Sequence, residues 1–194
     1  MASPSADKGR RTKAPKGKHR KTGLAIYYYG DGKGKTTAAI GIAVRAAAYG
    51  LKVLYFQFMK GTWPSGERKS LVKIPGITVE AVGEGFVGIL DDTKPRRVHV
   101  TAAKHGLTKV KKLLTSGMYD VVVCDEAVSA VEANLLSVRD VAGLMRVRPE
   151  RVTLVITGHD RYPTLEKQAH LVTEMKMIKH PYYQGILAQK GIDF

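Results

Sequence analysis

Apolar residues fall along this chain in two alternating rhythms. Short, nearly continuous runs at residues 24–28, 52–58, 119–126 and 152–157 are the signature of strands covered on both faces. Residues 77–82 and 171–177 read as two further strands. Between the runs lie stretches of helical period. An alanine-rich pattern spans 38–48. A basic pattern over about 94–116 places Val98, Ala102, Leu107, Val110, Leu113 and Leu114 on one side and stops at Gly117. Shorter patterns follow at 138–145, ending before Pro149, and at 165–170. Residues 60–68 form a polar, glycine-rich segment, and 83–88 read as a loop. Strands alternating with helices predict an α/β fold, a doubly wound and mainly parallel sheet of about six strands. Such sheets bind ligands beyond the carboxyl ends of their strands.

One turn in this pattern carries most of the chemistry. Between the first strand and first helix stands Tyr29-Gly30-Asp31-Gly32-Lys33-Gly34-Lys35-Thr36-Thr37. Strand, glycine-rich turn and Gly-Lys-Thr at a helix start form the layout of a phosphate-binding loop. Glycines let backbone N–H groups curl round an anion, and the helix N-terminus adds unpaired donors. Lys35 supplies a point charge, and Thr36 is placed to ligate Mg²⁺. The loop is one residue shorter than the usual spacing, because Tyr29 stands where its first glycine belongs, and Lys33 adds a second cation. Gly30, Asp31, Gly32, Lys33, Gly34, Lys35, Thr36 and Thr37 are the expected nucleotide-binding residues.

Asp125 and Glu126 end a buried strand, as do the Mg²⁺-binding acids of P-loop enzymes. Both are candidate metal ligands beside Thr36; in a hydrolase Glu126 would instead polarise water. Gly158-His159 ends another strand, so three segments converge on one end of the sheet. His99, His105 and His170 read as surface or satisfied core histidines, and Tyr27, Tyr28 and Tyr29 as strand packing.

Charge and length refine the picture. The chain has 194 residues, enough for one domain with a full core, and a formal net charge of +15. Nearly half of that charge lies in residues 1–22, where Lys8, Arg10, Arg11, Lys13, Lys16, Lys18, Arg20 and Lys21 face Asp7 alone. This basic tail is expected to be disordered, with residues 23–194 forming the domain. It is read as a solvated arm, as a segment ordering over bound nucleotide, or as a nucleic-acid contact. The lack of interleaved aromatics argues against the last. Cys124, the single cysteine, sits in an apolar run and excludes an internal disulfide. There is no signal-peptide core and no apolar run near the ~20 residues of a membrane span, so a cytoplasmic protein is expected.

The glycine loop, read with other segments, resembles the shortened loop of the P-loop-type ATP:corrinoid (cob(I)alamin) adenosyltransferases. The segment 57–61 with 62–68, the pair Gly85-Phe86, Asp125-Glu126, Thr157-Gly158 and the blocks 172–175, 179–181 and 185–194 are similar to that family as well. The resemblance implies attack of corrinoid cobalt(I) on the 5′-carbon of ATP with loss of tripolyphosphate. It implies Lys35, Lys33 and Phe86 as catalytic residues, Arg45 as a nucleotide contact, and Mg²⁺ held by Thr36 and Glu126. It further implies ATP and a corrinoid such as cobalamin as substrates, a homodimer, and an electron-donating flavoprotein partner. The chain departs from the family pattern at Gly88, where a tryptophan is frequent, and at His159, where arginine is. A P-loop ATPase or kinase on another substrate, and a nucleotide-gated nucleic-acid-binding module, remain the alternative readings of the residues alone.

Overall fold

The computed structural model of the protein describes residues 22–59, 61, 65–85 and 92–193. Six strands form one sheet: β1 (Ala25–Tyr29), β2 (Val53–Gln57), β3 (Ile77–Ala81), β4 (Val121–Asp125), β5 (Thr153–Thr157) and β6 (Leu171–Glu174). Their spatial order is β3-β2-β4-β5-β1-β6, and every neighbouring pair is parallel. Each of the six strands expected from the sequence is present.

The helices are α1 (Lys35–Ala48), α2 (Gly66–Leu71), α3 (Arg96–Thr115), α4 (Ser129–Glu132), α5 (Val138–Val147) and α6 (Pro163–Glu166). They cover both faces of the sheet, which explains the near-continuous apolar runs of β2, β4 and β5. Ile26, Tyr55, Val123 and Val155 pack with Ala39 and Ala43 of α1 on one face. Tyr27, Phe56, Cys124 and Ile156 pack with Val110 and Leu114 of α3 and Val141 and Leu144 of α5 on the other. Alternation within each strand sends successive side chains into the two layers. The small residues Ala39, Ala43 and Ala46, on one stripe of α1, are its buried set.

Cys124 is fully buried, and desolvation holds its thiol protonated. His99 is a core histidine, its Nε2 3.0 Å from Asp92 Oδ1. His170 Nδ1 accepts from the Ala25 N–H at 2.9 Å, while His105 is exposed.

Two short helices were not anticipated. α2 occupies part of the 60–68 stretch, and α4 follows β4 directly. α6 begins two residues earlier than expected and ends at Glu166. β6 stops at Glu174, three residues short, and all four of its residues are exposed at the sheet edge. Residues 1–21, Lys60, 62–64, 86–91 and Phe194 lie outside the described residues. The tail, Phe86 and Gly88 are therefore not described.

Candidate nucleotide site

The site begins where β1 meets α1. Gly30 has φ 119°, a conformation L side chains rarely adopt, and a Cβ there would lie 2.4 Å from the Met175 carbonyl oxygen. Its N–H donates to the His159 carbonyl at 2.8 Å, and the Gly32 N–H donates to the Met175 carbonyl at 2.7 Å. The Met175 N–H in turn donates to the Tyr29 carbonyl at 2.7 Å. The segment after β6 thus runs alongside the glycine loop and holds its rim. Asp31 belongs to the same support: its Oδ1 accepts from the Met177 N–H at 3.0 Å, and that bond holds its carboxyl below the ordinary range.

The N–H groups of Lys35, Thr36 and Thr37 open α1 and have no acceptor within the helix. Lys35 Nζ curls over the loop, donating to the Gly30 carbonyl at 2.6 Å and the Gly32 carbonyl at 2.8 Å. Burial lowers its pKa, opposed by the charges of Glu132, Asp31, Glu126 and Asp125. Lys33 forms an ion pair with Asp193 near the chain's C-terminus.

Behind the loop lies Asp125, fully buried. Its Oδ1 accepts from Thr36 Oγ1 at 3.0 Å and from Thr157 Oγ1 at 2.8 Å. Thr157 Oγ1 also accepts from the Glu126 N–H at 2.8 Å. The ends of α1, β4 and β5 are thereby joined through three side chains. Asp125 Oδ2 is buried without a hydrogen-bond partner. The Tyr55 phenol lies nearby; desolvation, and then the Asp125 charge, keep it protonated. Glu126 has φ 59°, unusual for a non-glycine residue and frequent at functional turns.

Glu132, which the sequence reading missed, steadies the third strand end. Its Oε1 accepts from the N–H groups of His159 and Asp160, both at 2.8 Å, and its Oε2 lies 3.4 Å from His159 Nδ1. Burial works against ionisation, but the His159 ring and the two N–H donors prevail and lower its pKa. Gly158 is required beside it, since a Cβ there would come within 2.1 Å of Val128 Cβ.

These elements enclose a cleft of ≈ 620 Å³. Lys33, Gly34, Lys35, Thr36 and Thr37 form one side, Glu126 and Thr157–His159 another, Ile40, Val44, Leu71 and Ile74 an apolar wall, and Gly191–Asp193 a further edge. Thus Lys33, Lys35, Thr36, Thr37, Gly34 and Glu126 line one space, Gly30, Asp31 and Gly32 shape the loop behind it, and Asp125 sits beneath. Arg45 is exposed on α1 and does not line the cleft, although Val44 beside it does. α2 contributes through Gln57, whose Nε2 donates to Glu67 Oε1 at 3.2 Å and whose Oε1 accepts from Arg68 Nε at 3.3 Å. Nothing local in the sequence marks Glu132; Asp193 stands in the C-terminal block without a charge pattern of its own.

A parallel sheet covered on both faces, with a glycine loop opening its first helix onto a cleft at the strand ends, defines a P-loop nucleotide-binding protein. The fold is shared with a KaiC-like protein of Pyrococcus horikoshii (TM-score 0.51, 16% identity, 79% of this chain and 72% of that one). It is shared also with the flagellar accessory protein FlaH of Methanocaldococcus jannaschii (TM-score 0.52, 14% identity, 78% and 70%). The family model for ATP:corrinoid adenosyltransferase BtuR/CobO/CobP matches residues 21–194. Corrinoid adenosyltransferases of Escherichia coli K12 and Salmonella typhimurium LT2 are each 36% identical over 172 residues, and that of Pseudomonas aeruginosa is 32% identical over 173. The alignments cover 89% of this chain and 86%, 86% and 84% of those proteins. The chain belongs to the ATP:corrinoid adenosyltransferase family and is an enzyme of that class.

Proposed function

We propose that the glycine loop holds the triphosphate of ATP as a leaving group while the 5′-carbon faces a reduced corrinoid. In the reaction, the cobalt(I) electron pair forms the Co–C bond, the C5′–O bond breaks, and its electrons depart with tripolyphosphate. Cobalt(I) is itself a strong nucleophile, so no general base is needed. What must be stabilised is negative charge developing on the leaving oxygen. The first-turn N–H groups of α1 with Lys33 and Lys35 are suited to that task, being fixed before the charge appears. The observation that carries this reading is two ammonium groups over one shortened loop, beside a cleft with an apolar wall.

The residues fit a Mg²⁺ ion. Asp125 Oδ2 is a buried oxygen without a partner, and Thr36 Oγ1 lies 3.0 Å from its twin. Mg²⁺ takes one or two protein oxygens together with phosphate oxygens and water. Thr36 with Asp125 and Glu126 would hold it, and when bound it neutralises phosphate charge. Arg45 is assigned a nucleotide contact. Phe86 is assigned the apolar wall that removes an axial ligand from cobalt(II) before reduction.

Residues 23–194 then form the catalytic unit and residues 1–22 an appended basic arm. Among the described residues no helix is long and apolar enough to cross a membrane. A cytoplasmic homodimer, supplied with electrons by a flavoprotein, completes the proposal.

Product analysis tests it. Incubation with ATP, Mg²⁺ and chemically reduced corrinoid should yield tripolyphosphate and the absorbance change of Co–C bond formation in equal amounts. Orthophosphate or ADP as the main product would refute the assignment.

A further inference from the structure

The described structure pairs both loop lysines internally. Lys35 is satisfied by loop carbonyls, whereas Lys33 meets a carboxylate from the far end of the chain. That carboxylate is held in place. Asp193 N–H donates to the Gln189 carbonyl at 2.8 Å, and its Oδ2 accepts from the Gln189 N–H at 2.7 Å, so a single turn presents Oδ1 to Lys33. The Asp193 side chain is 12% exposed against 51% for Lys33, and Gly191, Ile192 and Asp193 all line the cleft. An acidic residue lodged at the rim of an anion-binding loop opposes ground-state binding of phosphate, so its presence calls for a function.

We propose that Asp193 is an internal anion that competes with polyphosphate for Lys33 and thereby speeds release of tripolyphosphate. The inference rests on the placement of the triphosphate in the glycine loop. Once the C5′–O bond has broken, the product keeps all the charge that the loop was built to hold. Its departure would leave an exposed lysine facing other cations, and a carboxylate already in reach replaces the lost partner. ATP feels the same competition but retains the contacts of its nucleoside, so it stays bound while tripolyphosphate, held by the loop alone, is released faster. No covalent step depends on Asp193. Its effect falls on binding and release.

The test is calorimetric titration of the full-length protein with inorganic tripolyphosphate and Mg²⁺, alongside product inhibition of adenosyl transfer. Wild type is compared with Asp193→Asn, Asp193→Ser as a second uncharged variant, and Asp193→Glu, each checked for a native melting transition. Both uncharged variants should bind tripolyphosphate about two- to fivefold tighter, the range of one partly exposed ion pair. Product inhibition should strengthen by the same factor, and the gap should narrow at high salt. Asp193→Glu should stay close to wild type. Unchanged or weaker binding by the uncharged variants would overturn the proposal, since Asp193 would then be positioning Lys33 for its ligand. So would an Asp193→Glu variant that matched Asp193→Asn. Failure of the wild type itself to bind tripolyphosphate would instead refute the placement of the triphosphate, and this inference with it.

Discussion

Asp125 shows how much one buried carboxylate organises. One oxygen receives the hydroxyls of Thr36 and Thr157, tying the first helix to two strand ends, while the other is left bare. The chemistry at this scale divides into charge and support. Lys35→Ala removes charge and should cost ~2–4 kcal/mol of transition-state stabilisation, the scale of losing one preorganised donor to a developing anion. Steady-state kcat/KM from reduced corrinoid measures it; an unchanged value would mean the triphosphate lies elsewhere. Glu132 supplies support. The folded protein holds its carboxyl below the ordinary glutamate value of 4.5, so the stability it contributes is present above that value. It is lost as the pH falls through the lower folded value. Glu132→Gln should therefore melt below wild type at neutral pH, and the difference should disappear in acid. Thermal melts across that range decide the matter. Lys33, Lys35, Thr36 and Asp125 could be read in the sequence because a loop motif and a strand end fix their neighbours. Glu132 and Asp193 could not. Their partners lie 27 and 160 positions away, and no local pattern encodes so distant a meeting.

At the scale of elements, the strands were legible because burial on both faces writes each as an apolar run. Leu154 shows the consequence: it is fully buried in β5, between β4 and β1. Leu154→Ala should lose ~2–5 kcal/mol, measured as a fall in unfolding free energy in denaturant. The helices that escaped notice are short. α2 has six residues and one buried side chain, and α4 has four residues, so neither is long enough to repeat the helical period. Their positions come from tertiary contacts, namely the Gln57 bridge to Glu67 and Arg68 for α2 and the packing of Ala130 and Val131 for α4. β6 illustrates the opposite error. Its pattern continued to residue 177, but beyond Glu174 the backbone bonds once more to Tyr29 at the end of β1 and then follows the glycine loop, bonding to Gly32 and Asp31.

Across the whole molecule, the chain carries a net charge of +15, and the ligand proposed for its cleft is a polyanion. Screening should act on capture more than on chemistry. The dissociation constant of ATP should rise severalfold between low and high ionic strength, as the Debye length shrinks from ~10 Å at 0.1 M to ~3 Å at 1 M. The rate constant for enzyme saturated with ATP should change much less. Titrations paired with single-turnover rates separate the two effects. The all-parallel order was anticipated in kind, since alternating strands and helices leave few other arrangements. The position of β1 between β5 and β6 was not, because register between strands so far apart leaves no trace in a single chain.

That position has a consequence during biosynthesis. The rim of the glycine loop rests on the backbone of Met175, so residues 30–32 emerge from the ribosome long before their scaffold exists. A nascent chain halted before that methionine would display the motif without its brace. Joining residues 1 and 194 and opening the chain between β5 and β6 would reverse this timetable, placing Met175 ahead of residues 30–32 and leaving the Gly30 bond to His159 to form last.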